Sequence, residues 1–339
     1  MKPTAIELFA GAGGLALGLE MAGFNSLALI EIDKHASETL QKNRPNWNVI
    51  NDDIANISKL DLLEFFNLQP GELDLLSGGA PCQSFSYAGN RLGLEDARGT
   101  LFYHYGLFLN KLQPKTFLFE NVRGLLSHDG GRTYETILNI FEQEGYSVQM
   151  QVLNAWNYGV AQKRERLIMI GVRKDLVKQV QIDFPVAHEY KPVLSDVLKN
   201  VPKSEGSQYS AQKREIFEIV PAGGYWRDIP EHVAKPYMKS CWDMGGGRTG
   251  ILRRMSMNEP SLTVLTSPSQ KQTERCHPLY ARPFTIRENA RIQSFPDDWA
   301  FCGGIGQQYK QVGNAVPVLL AYEIGKEIFK SLEGLKCGI

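Results

Sequence analysis

Residues 5–23 of the chain read AIELFAGAGGLALGLEMAG, and this stretch decides the fold. The apolar run at 5–9 predicts a strand, the glycines after it predict a tight loop, and the leucines after Gly14 predict a helix that ends near Gly23. Glycines at a strand-to-helix turn let the backbone approach a ligand at the positive end of the helix. The stretch therefore predicts the ligand-binding start of an α/β domain.

Apolar strands and amphipathic helices continue to alternate through the first half of the chain. Further strands are predicted at 27–30, 49–50, 73–76, 116–119 and 167–172, and helices at 34–43, 58–66, 100–112 and 132–144. Strands separated by helices indicate an α/β fold with a doubly wound, mostly parallel sheet, in which ligands bind beyond the carboxyl ends of the strands. Polar residues that follow these strands should share one rim of the sheet, namely Glu31, Asp53, Cys82 and Glu120.

The pattern changes after Phe184, where prolines become frequent and helical periodicity fades. A second, smaller and irregular domain is expected there. Helical spacing returns from Val316, which predicts a terminal helix packed on the first domain. The predicted units are a first domain at 1–184, a second domain at 185–282, a hinge at 283–310 and a C-terminal segment at 311–339.

Composition sets broad limits on the protein. Of the 339 residues, 43% are hydrophobic and 22% are charged, an amino-acid composition typical of soluble globular proteins. Its apolar runs are far shorter than the roughly 18 residues of a membrane span, and the N-terminus does not resemble a signal peptide. We expect a cytoplasmic protein. Its five cysteines are far apart and form no C-x-x-C pair, which predicts neither disulfides nor a metal site.

The total charge is balanced, with 37 basic and 37 acidic side chains. The local distribution is not balanced, because Lys235–Arg282 holds eight basic and three acidic residues, a balance of +5. This basic stretch is either a surface that faces phosphate groups or a set of scattered, solvated charges.

Three sets of residues carry candidate chemistry. Pro81 stiffens the backbone before Cys82, whose thiolate can act as a nucleophile, although a lone cysteine is more often a small buried apolar residue. Glu120 follows a strand and either protonates a ring nitrogen or caps a helix. Arg164 and Arg166 alternate along one side of the chain and either bind phosphate or carbonyl groups or lie on a solvated surface.

The glycine loop alone leaves two classes of enzyme open. Gly11-x-Gly13-x-x-Ala16, with Glu31 about 20 residues further on, also fits a loose nicotinamide-dinucleotide pattern. A dehydrogenase would give no role to the Pro81-Cys82 pair, Glu120 and the basic stretch together.

The motifs and their order resemble the DNA (cytosine-5) methyltransferase family. The blocks that carry the resemblance are FAGAGG at 9–14, Glu31 with Asp33, Asp53-Ile54, PCQ at 81–83, RGTLF at 98–102, ENV at 120–122, QKRER at 162–166, RENAR at 287–291 with FPD at 295–297, and GNAV at 313–316. Only 185–280 lacks a strong match, and in that family this is the variable target-recognition region. The compact length is similar to that of prokaryotic or phage modification enzymes.

The resemblance implies a Rossmann-like methyltransferase fold and S-adenosylmethionine as methyl donor, with no metal. Cys82 is then the nucleophile that adds to carbon 6 of cytosine, Glu120 stabilises the ring at nitrogen 3, and Arg164 and Arg166 lower the thiol pKa and hold the base carbonyl. The implied cofactor residues are Phe9, Gly11, Gly13, Glu31, Ile32, Asp53, Ile54, Gly79, Pro81, Leu101, Asn314, Ala315 and Val316.

The implied substrate is a cytosine flipped out of double-stranded DNA, because the reaction cannot occur inside a stacked duplex. The expected DNA-binding residues are Gln83, Ser86, Arg98, Arg248, Arg253, Arg254 and Thr263. For Arg253 and Arg254 the alternative is that they hold the second domain together. The resemblance further implies a monomer, with a cognate restriction endonuclease as a functional partner. Some family members modify RNA, so an RNA substrate is the alternative.

Overall fold

A computed structural model of the protein describes residues 2–80, 100–243, 248–268 and 270–336. A seven-stranded sheet with the order β3-β2-β1-β4-β5-β8-β6 forms its centre. The strands are β1 (Thr4–Leu8), β2 (Asn25–Ile30), β3 (Val49–Ile50), β4 (Leu75–Gly78), β5 (Thr116–Val122), β6 (Tyr146–Asn154) and β8 (Glu165–Arg173). Neighbours from β3 to β5 are parallel, and β8 is antiparallel to both β5 and β6. The predicted mostly parallel, doubly wound sheet is confirmed.

The edge strand β6 is absent from the sequence prediction. Its sequence, YSVQMQVLN, alternates apolar residues with serine and glutamine, and much of the strand is exposed. Such alternation is typical of a half-exposed strand and was the signal available in the sequence. Among the strands that the structure describes, β6 pairs with β8 alone, so it adds a strand beyond the one that carries Arg166.

The helices follow the predicted alternation. They are α1 (Gly14–Ala22), α2 (Lys34–Asn43), α3 (Ile54–Ile57), α4 (Leu62–Phe66), α5 (Leu101–Leu112), α6 (Arg132–Gln143), α7 (Leu194–Val197), α8 (Ala211–Ile219), α9 (Glu231–Met238), α10 (Ile286–Ile292), α11 (Ile305–Asn314) and α12 (Val318–Lys336). The helix predicted at 58–66 is shorter in the structure, where α4 begins at Leu62 after its cap Asp61, and a separate short helix, α3, capped by Asp53, ends at Ile57 before the predicted range.

Both faces of the sheet are covered. Alternate residues of β1 point to opposite sides, so that Ile6 and Leu8 pack with the aromatic residues of α5 and α6, whereas Ala5 packs with α1 and α12. The carboxyl end of β4 approaches β1 closely at Gly78, whose φ is 151°. A Cβ at this position would lie 2.3 Å from the Leu8 carbonyl oxygen, so glycine is required where the two strands end.

A separate hydrophobic cluster lies within residues 209–281, which we call the small lobe. The lobe contains α8 and α9, two helices that fading periodicity did not predict. Glu274, fully buried, joins its parts by accepting hydrogen bonds from Lys213 (2.5 Å), the Tyr237 hydroxyl (2.6 Å) and the Leu252 N–H (2.5 Å). A buried carboxylate with three donors fixes the arrangement of these segments. The domain boundaries given above remain a prediction.

The buried His277 predicts how stability depends on pH. Its Nδ1 accepts N–H groups of Leu279 (3.0 Å) and Tyr280 (3.3 Å), so this nitrogen is unprotonated. Burial lowers the pKa of His277 to about 4, although Glu288 nearby raises it. In the unfolded chain the imidazole of His277 binds a proton near pH 6.5, whereas in the folded protein it stays neutral down to about pH 4. The free energy of unfolding therefore falls as the pH drops from about 6.5 to about 4.

We expect His277 to account for up to about 3 kcal/mol of lost unfolding free energy at pH 4, at about 1.4 kcal/mol per unit of pKa difference. His277→Gln keeps an acceptor but cannot take up a proton, so its unfolding free energy should fall less between pH 7 and pH 4.5. Urea unfolding of both proteins at the two pH values measures this. An equal fall in both proteins would contradict the assignment to His277.

Candidate active site

The glycine loop after β1 faces the carboxylate of Glu31. The Gly11 N–H donates to Glu31 Oε2 (2.7 Å) and the Asp33 N–H donates to Oε1 (2.7 Å). Phe9 and Gly11 have positive φ angles of 58° and 54°, so the chain turns sharply directly after the strand. Burial raises the pKa of Glu31, whereas the two N–H donors lower it. The carboxylate is thus held in a fixed orientation at the end of β2.

The next predicted residues follow β2 and β3. Ile32 is 65% exposed beside the buried Glu31, an apolar side chain left open to solvent at the rim of the sheet. Asp53 Oδ1 accepts the N–H of Ala55 (2.8 Å) and so caps α3, of which the buried Ile54 is the first residue. The side chain of Asn51 donates to the Glu31 carbonyl oxygen (2.8 Å) and joins the ends of β2 and β3.

The C-terminal segment returns to the same rim. A Cβ at Gly14 would lie 2.1 Å from the Val316 carbonyl oxygen, so this segment is in direct contact with the first turn of α1. Asn314 is exposed at the end of α11, and the following Ala315 is buried. The sheet and the C-terminal segment therefore bring the glycine loop together with residues 300 positions away in sequence. Leu101 is the first residue of α5, and Pro81 lies outside the described residues.

Glu120 lies in β5 and forms an ion pair with Arg166 of β8, with 2.7 Å between Oε1 and Nε. Both side chains are mostly buried, at 14% and 11% exposed. A Cβ at Gly79 would lie 2.6 Å from Glu120 Oε2, so the carboxylate rests against the segment that leads to Cys82. Asn121 holds the same segment, because its Nδ2 donates to the Ala80 carbonyl oxygen (2.8 Å). Cys82 itself is outside the described residues.

Arg166 borders a cleft of about 460 Å³. Because Arg166 is one of the predicted catalytic residues, we call it the catalytic cleft. The other lining residues are Val122, Arg123, Gly124, Asn154, Lys163, Glu165 and Thr263. The Thr263 hydroxyl donates to the Lys163 carbonyl oxygen (3.0 Å), where the short strands β7 (Gln162–Lys163) and β9 (Ser261–Leu262) pair in parallel. The small lobe is thus attached directly beside Arg166.

Arg164 is placed differently from Arg166. It is 2% exposed, and its guanidinium donates to the backbone carbonyls of Gly313 (2.9 Å), Ala315 (3.1 Å) and Val264 (3.4 Å). Burial and the neighbouring Arg166 lower the pKa of Arg164, whereas Glu120 raises it. These contacts give Arg164 a positioning role, since it joins the catalytic sheet to the C-terminal segment and the small lobe. The predicted contact of Arg164 with Cys82 lies outside the described residues.

Of the predicted DNA-binding residues, the structure describes the contacts of some, and others lie outside the described residues. Arg254 donates to the carbonyls of Pro278 (3.0 Å), Phe217 (2.9 Å) and Val220 (3.1 Å). These bonds favour the alternative in which Arg254 holds the second domain together, and its DNA contact stays a prediction. Arg248 adjoins residues 244–247, which are not described, and its carbonyl accepts the Trp226 indole N–H (3.2 Å). Gln83, Ser86 and Arg98 lie outside the described residues.

Two buried glutamines near the site were missed by the sequence reasoning. Gln162 Nε2 donates to Gln293 Oε1 (2.7 Å), and Gln162 Oε1 accepts the Val264 N–H (2.8 Å). Gln293 Nε2 donates in turn to the carbonyls of Val312 (2.7 Å) and Ala315 (3.1 Å). Gln162 is the first residue of the QKRER block, in which the sequence pattern assigns a role to the arginines alone. Both amide side chains are fully buried and linked by hydrogen bonds. Like Arg164, they fix the junction between the sheet, the small lobe and the C-terminal segment.

A third residue missed in this way is Glu7, a carboxyl in β1. It is 4% exposed, and its Oε2 has no hydrogen-bond partner among the described residues. Burial, with a smaller contribution from Glu31, raises the pKa of Glu7 well above its ordinary value. The protonated acid is therefore favoured at this position beneath the glycine loop.

The residues that the structure describes contain no group of three or more histidine, cysteine, aspartate or glutamate side chains arranged to hold a metal ion. Among their helices, none combines the length and the apolar character that crossing a membrane requires.

The sequence is similar to those of bacterial type II methyltransferases. The chain is 59% identical over 327 residues to the type II methyltransferase M.Sau96I of Staphylococcus aureus, covering 96% of this chain and 75% of that protein. It is 51% identical over 338 residues to the type II methyltransferase M.Eco47II of Escherichia coli, covering 97% and 79%.

Among solved structures, a prophage-encoded protein of Escherichia coli described as a DNA modification methyltransferase matches with a TM-score of 0.71. The match covers 98% of this chain and 99% of that one at 24% identity, and so supports the fold alone. The family model for C-5 cytosine-specific DNA methylases matches residues 4–330, which span both the glycine loop with Glu31 and the Glu120–Arg166 pair. The chain therefore belongs to the C-5 cytosine-specific DNA methylase family and is a DNA (cytosine-5)-methyltransferase.

Proposed function

We propose that the protein transfers a methyl group from S-adenosylmethionine to carbon 5 of a cytosine flipped out of a specific duplex DNA sequence. It would act as the modification enzyme of a restriction-modification system, as the names of its type II relatives suggest. The observation that carries the proposal is the buried Glu120–Arg166 pair, which adjoins the catalytic cleft and contacts the segment before Cys82.

The residues at the rim fit S-adenosylmethionine. Glu31 presents a buried carboxylate fixed by two N–H groups, which suits a ribose diol, and the exposed Ile32 beside it offers an apolar face to an adenine. Apart from the chain neighbours of Gly11, no atom of the described residues lies closer than 4.0 Å to where a Cβ on it would be, so these residues leave space for a ligand beside the loop. When bound, this cofactor supplies an electrophilic methyl group on its sulfonium.

Glu31→Ala is expected to weaken S-adenosylmethionine binding by about 1 to 3 kcal/mol, because the Gly11 and Asp33 N–H groups lose their acceptor and the ribose loses its partner. Isothermal titration calorimetry at constant salt measures this affinity. Glu38→Ala is a matched control, since Glu38 lies on α2 in an exposed pair with Lys34 (3.9 Å). Unchanged affinity in the Glu31 variant would show that the cofactor binds elsewhere.

The proposed chemistry begins with addition of the Cys82 thiolate to carbon 6 of the cytosine, which makes carbon 5 nucleophilic. Glu120 holds a proton at nitrogen 3 and so stabilises the electron pair pushed into the ring. Arg166 orients Glu120 through the ion pair and presents its guanidinium to the base carbonyl. The electron pair at carbon 5 would then take the methyl group, with the S–CH3 bond of the sulfonium broken and S-adenosylhomocysteine left as the product. Loss of the carbon 5 proton to water and elimination of Cys82 then give 5-methylcytosine and a free thiolate.

The cytosine has to leave the duplex before any of these steps, at a cost of a few kcal/mol. The catalytic cleft, at about 460 Å³, is large enough for one base and is bordered by residues from both the sheet and the small lobe. We infer that Thr263 and the small lobe contact the DNA around the flipped base. We further propose that the protein is monomeric, acts in the cytoplasm and shares its DNA site with a cognate endonuclease without forming a stable complex.

Methyl transfer to plasmid DNA and to total RNA tests this function. The protein and tritiated S-adenosylmethionine are incubated with each nucleic acid, and incorporated label is counted. We expect label in DNA alone, and bisulfite sequencing of the product should place it on cytosines in one sequence context. Label in RNA alone would replace the DNA substrate with the RNA alternative, and label in neither would reject the proposal.

A further inference from the structure

Two arginines of the small lobe lie side by side. The Cys276 N–H donates to the Arg253 carbonyl oxygen (2.9 Å), and the Met255 N–H donates to the Cys276 carbonyl oxygen (3.0 Å). These bonds form a parallel bridge between Arg254 and Cys276. In a parallel register the preceding residues, Arg253 and Arg275, stand opposite each other.

Neither arginine has an acidic partner in the part of the chain that the structure describes. No carboxylate oxygen lies within 4.0 Å of either guanidinium among those residues, and the Nε atoms of both are buried without a hydrogen-bond acceptor. Within the described ranges, the Glu274 carbonyl oxygen (2.8 Å) is the one acceptor of a hydrogen bond from Arg275. The nearby Glu274 carboxylate is already bound by Lys213, Tyr237 and the Leu252 N–H.

This arrangement is costly in the protein alone. Both guanidinium groups are partly removed from water, and burial together with Arg253 lowers the pKa of Arg275 to about 10. Two like charges held side by side are stabilised when an anion binds between them. Arg254 differs, because three carbonyl groups accept its hydrogen bonds.

The pair also adjoins the segment that borders the catalytic cleft. Arg275 lines a small cavity together with Val264, Leu265 and Pro268. Thr263, directly before this segment, lines the catalytic cleft itself. The two arginines are therefore connected through one short stretch of chain to the place where the target base would enter.

We propose that Arg253 and Arg275 together bind one backbone phosphate of the DNA substrate. The inference rests on the proposed function for its ligand and adds a contact that fixes the register of the DNA on the small lobe. A phosphate matches the two charges and the forked donors of both guanidinium groups, and such contacts position the duplex without reading its sequence.

Arg253→Gln, Arg275→Gln and the double variant test the pair. Affinity for a fluorescent duplex that contains the methylation site is measured by anisotropy at several salt concentrations, with S-adenosylhomocysteine present. Each single variant should bind roughly tenfold or more weakly, and the slope of log affinity against log salt should be shallower by about one unit. The double variant should lose less than the product of the single losses, because both residues hold one phosphate.

Two sets of controls separate this contact from general effects. Arg214→Gln removes an exposed charge from α8 in the same lobe and should change affinity less than threefold. Arg253→Lys and Arg275→Lys keep the positive charge, so they should retain the wild-type salt slope while binding more weakly than arginine. The lysine variants serve as the test if the glutamine variants do not fold.

Unchanged affinity and salt slope in the glutamine variants would overturn the inference and assign the pair a structural role. A loss confined to the specific sequence, with an unchanged slope, would also overturn it, since that result indicates a base contact. Failure of the proposed function is distinguishable from either result, because the wild-type protein would then not methylate DNA at all.

Discussion

Cys82→Ser is expected to lower methyl transfer to less than about one thousandth of the wild-type rate while leaving S-adenosylmethionine binding unchanged. A serine hydroxyl is a far weaker acid than a thiol, so almost no nucleophilic anion is available to add to carbon 6 of the cytosine. The rate is measured with tritiated cofactor on plasmid DNA, and cofactor affinity by calorimetry.

Cys302→Ser is the matched control for this substitution. Cys302 is a partly buried free thiol near α2, outside the proposed site, and its serine variant should keep a rate within about threefold of the wild type. Substantial activity in Cys82→Ser would show that no thiolate of this residue takes part in the reaction.

Glu120→Gln should lower kcat by roughly 10²-fold to 10⁴-fold, the range typical of a lost general acid. Glutamine keeps the size of the side chain but cannot carry the proton that stabilises nitrogen 3. The loss of the Glu120 carboxylate also breaks the ion pair with Arg166 and leaves a mostly buried guanidinium without its charged partner. Single-turnover rates at saturating cofactor and DNA separate the effect on chemistry from effects on binding.

Asp175→Asn offers a comparable change just after the far end of β8, the strand that carries Arg166. Asp175 pairs with Arg173, the last residue of β8, and is largely exposed. Its variant should have a nearly unchanged single-turnover rate. If Glu120→Gln reacts as fast as this control, the proton at nitrogen 3 is held by another group.

The parts of the fold that depend on local patterns could be predicted from the sequence. The parallel strands are short apolar runs between helices, and polar residues at their carboxyl ends are brought together by the topology. The contact between Glu31 and the glycine loop, and the placement of Glu120 beside the segment before Cys82, both follow from that rule.

The parts that depend on distant segments could not be predicted in this way. The spacing of Arg164 and Arg166 is that of a strand, yet the direction of Arg164 depends on Gly313 and Ala315, about 150 residues further on. In the sequence, Arg254 is one of several basic residues in the same stretch. Its hydrogen bonds go to the carbonyl groups of residues 217, 220 and 278, which only the folded structure reveals. Local sequence carries no information on which charged side chain finds a buried acceptor.

The covalent step through Cys82 is the central claim, and a duplex that contains 5-fluorocytosine at the target position tests it most directly. Fluorine cannot leave carbon 5 as a proton does, so the enzyme should remain attached to the DNA after methyl transfer. We expect a stable complex in denaturing gels that requires S-adenosylmethionine, and peptide mass spectrometry should locate the modified base on Cys82. Absence of the complex, or a modified base on Cys241, Cys276, Cys302 or Cys337, would contradict the account.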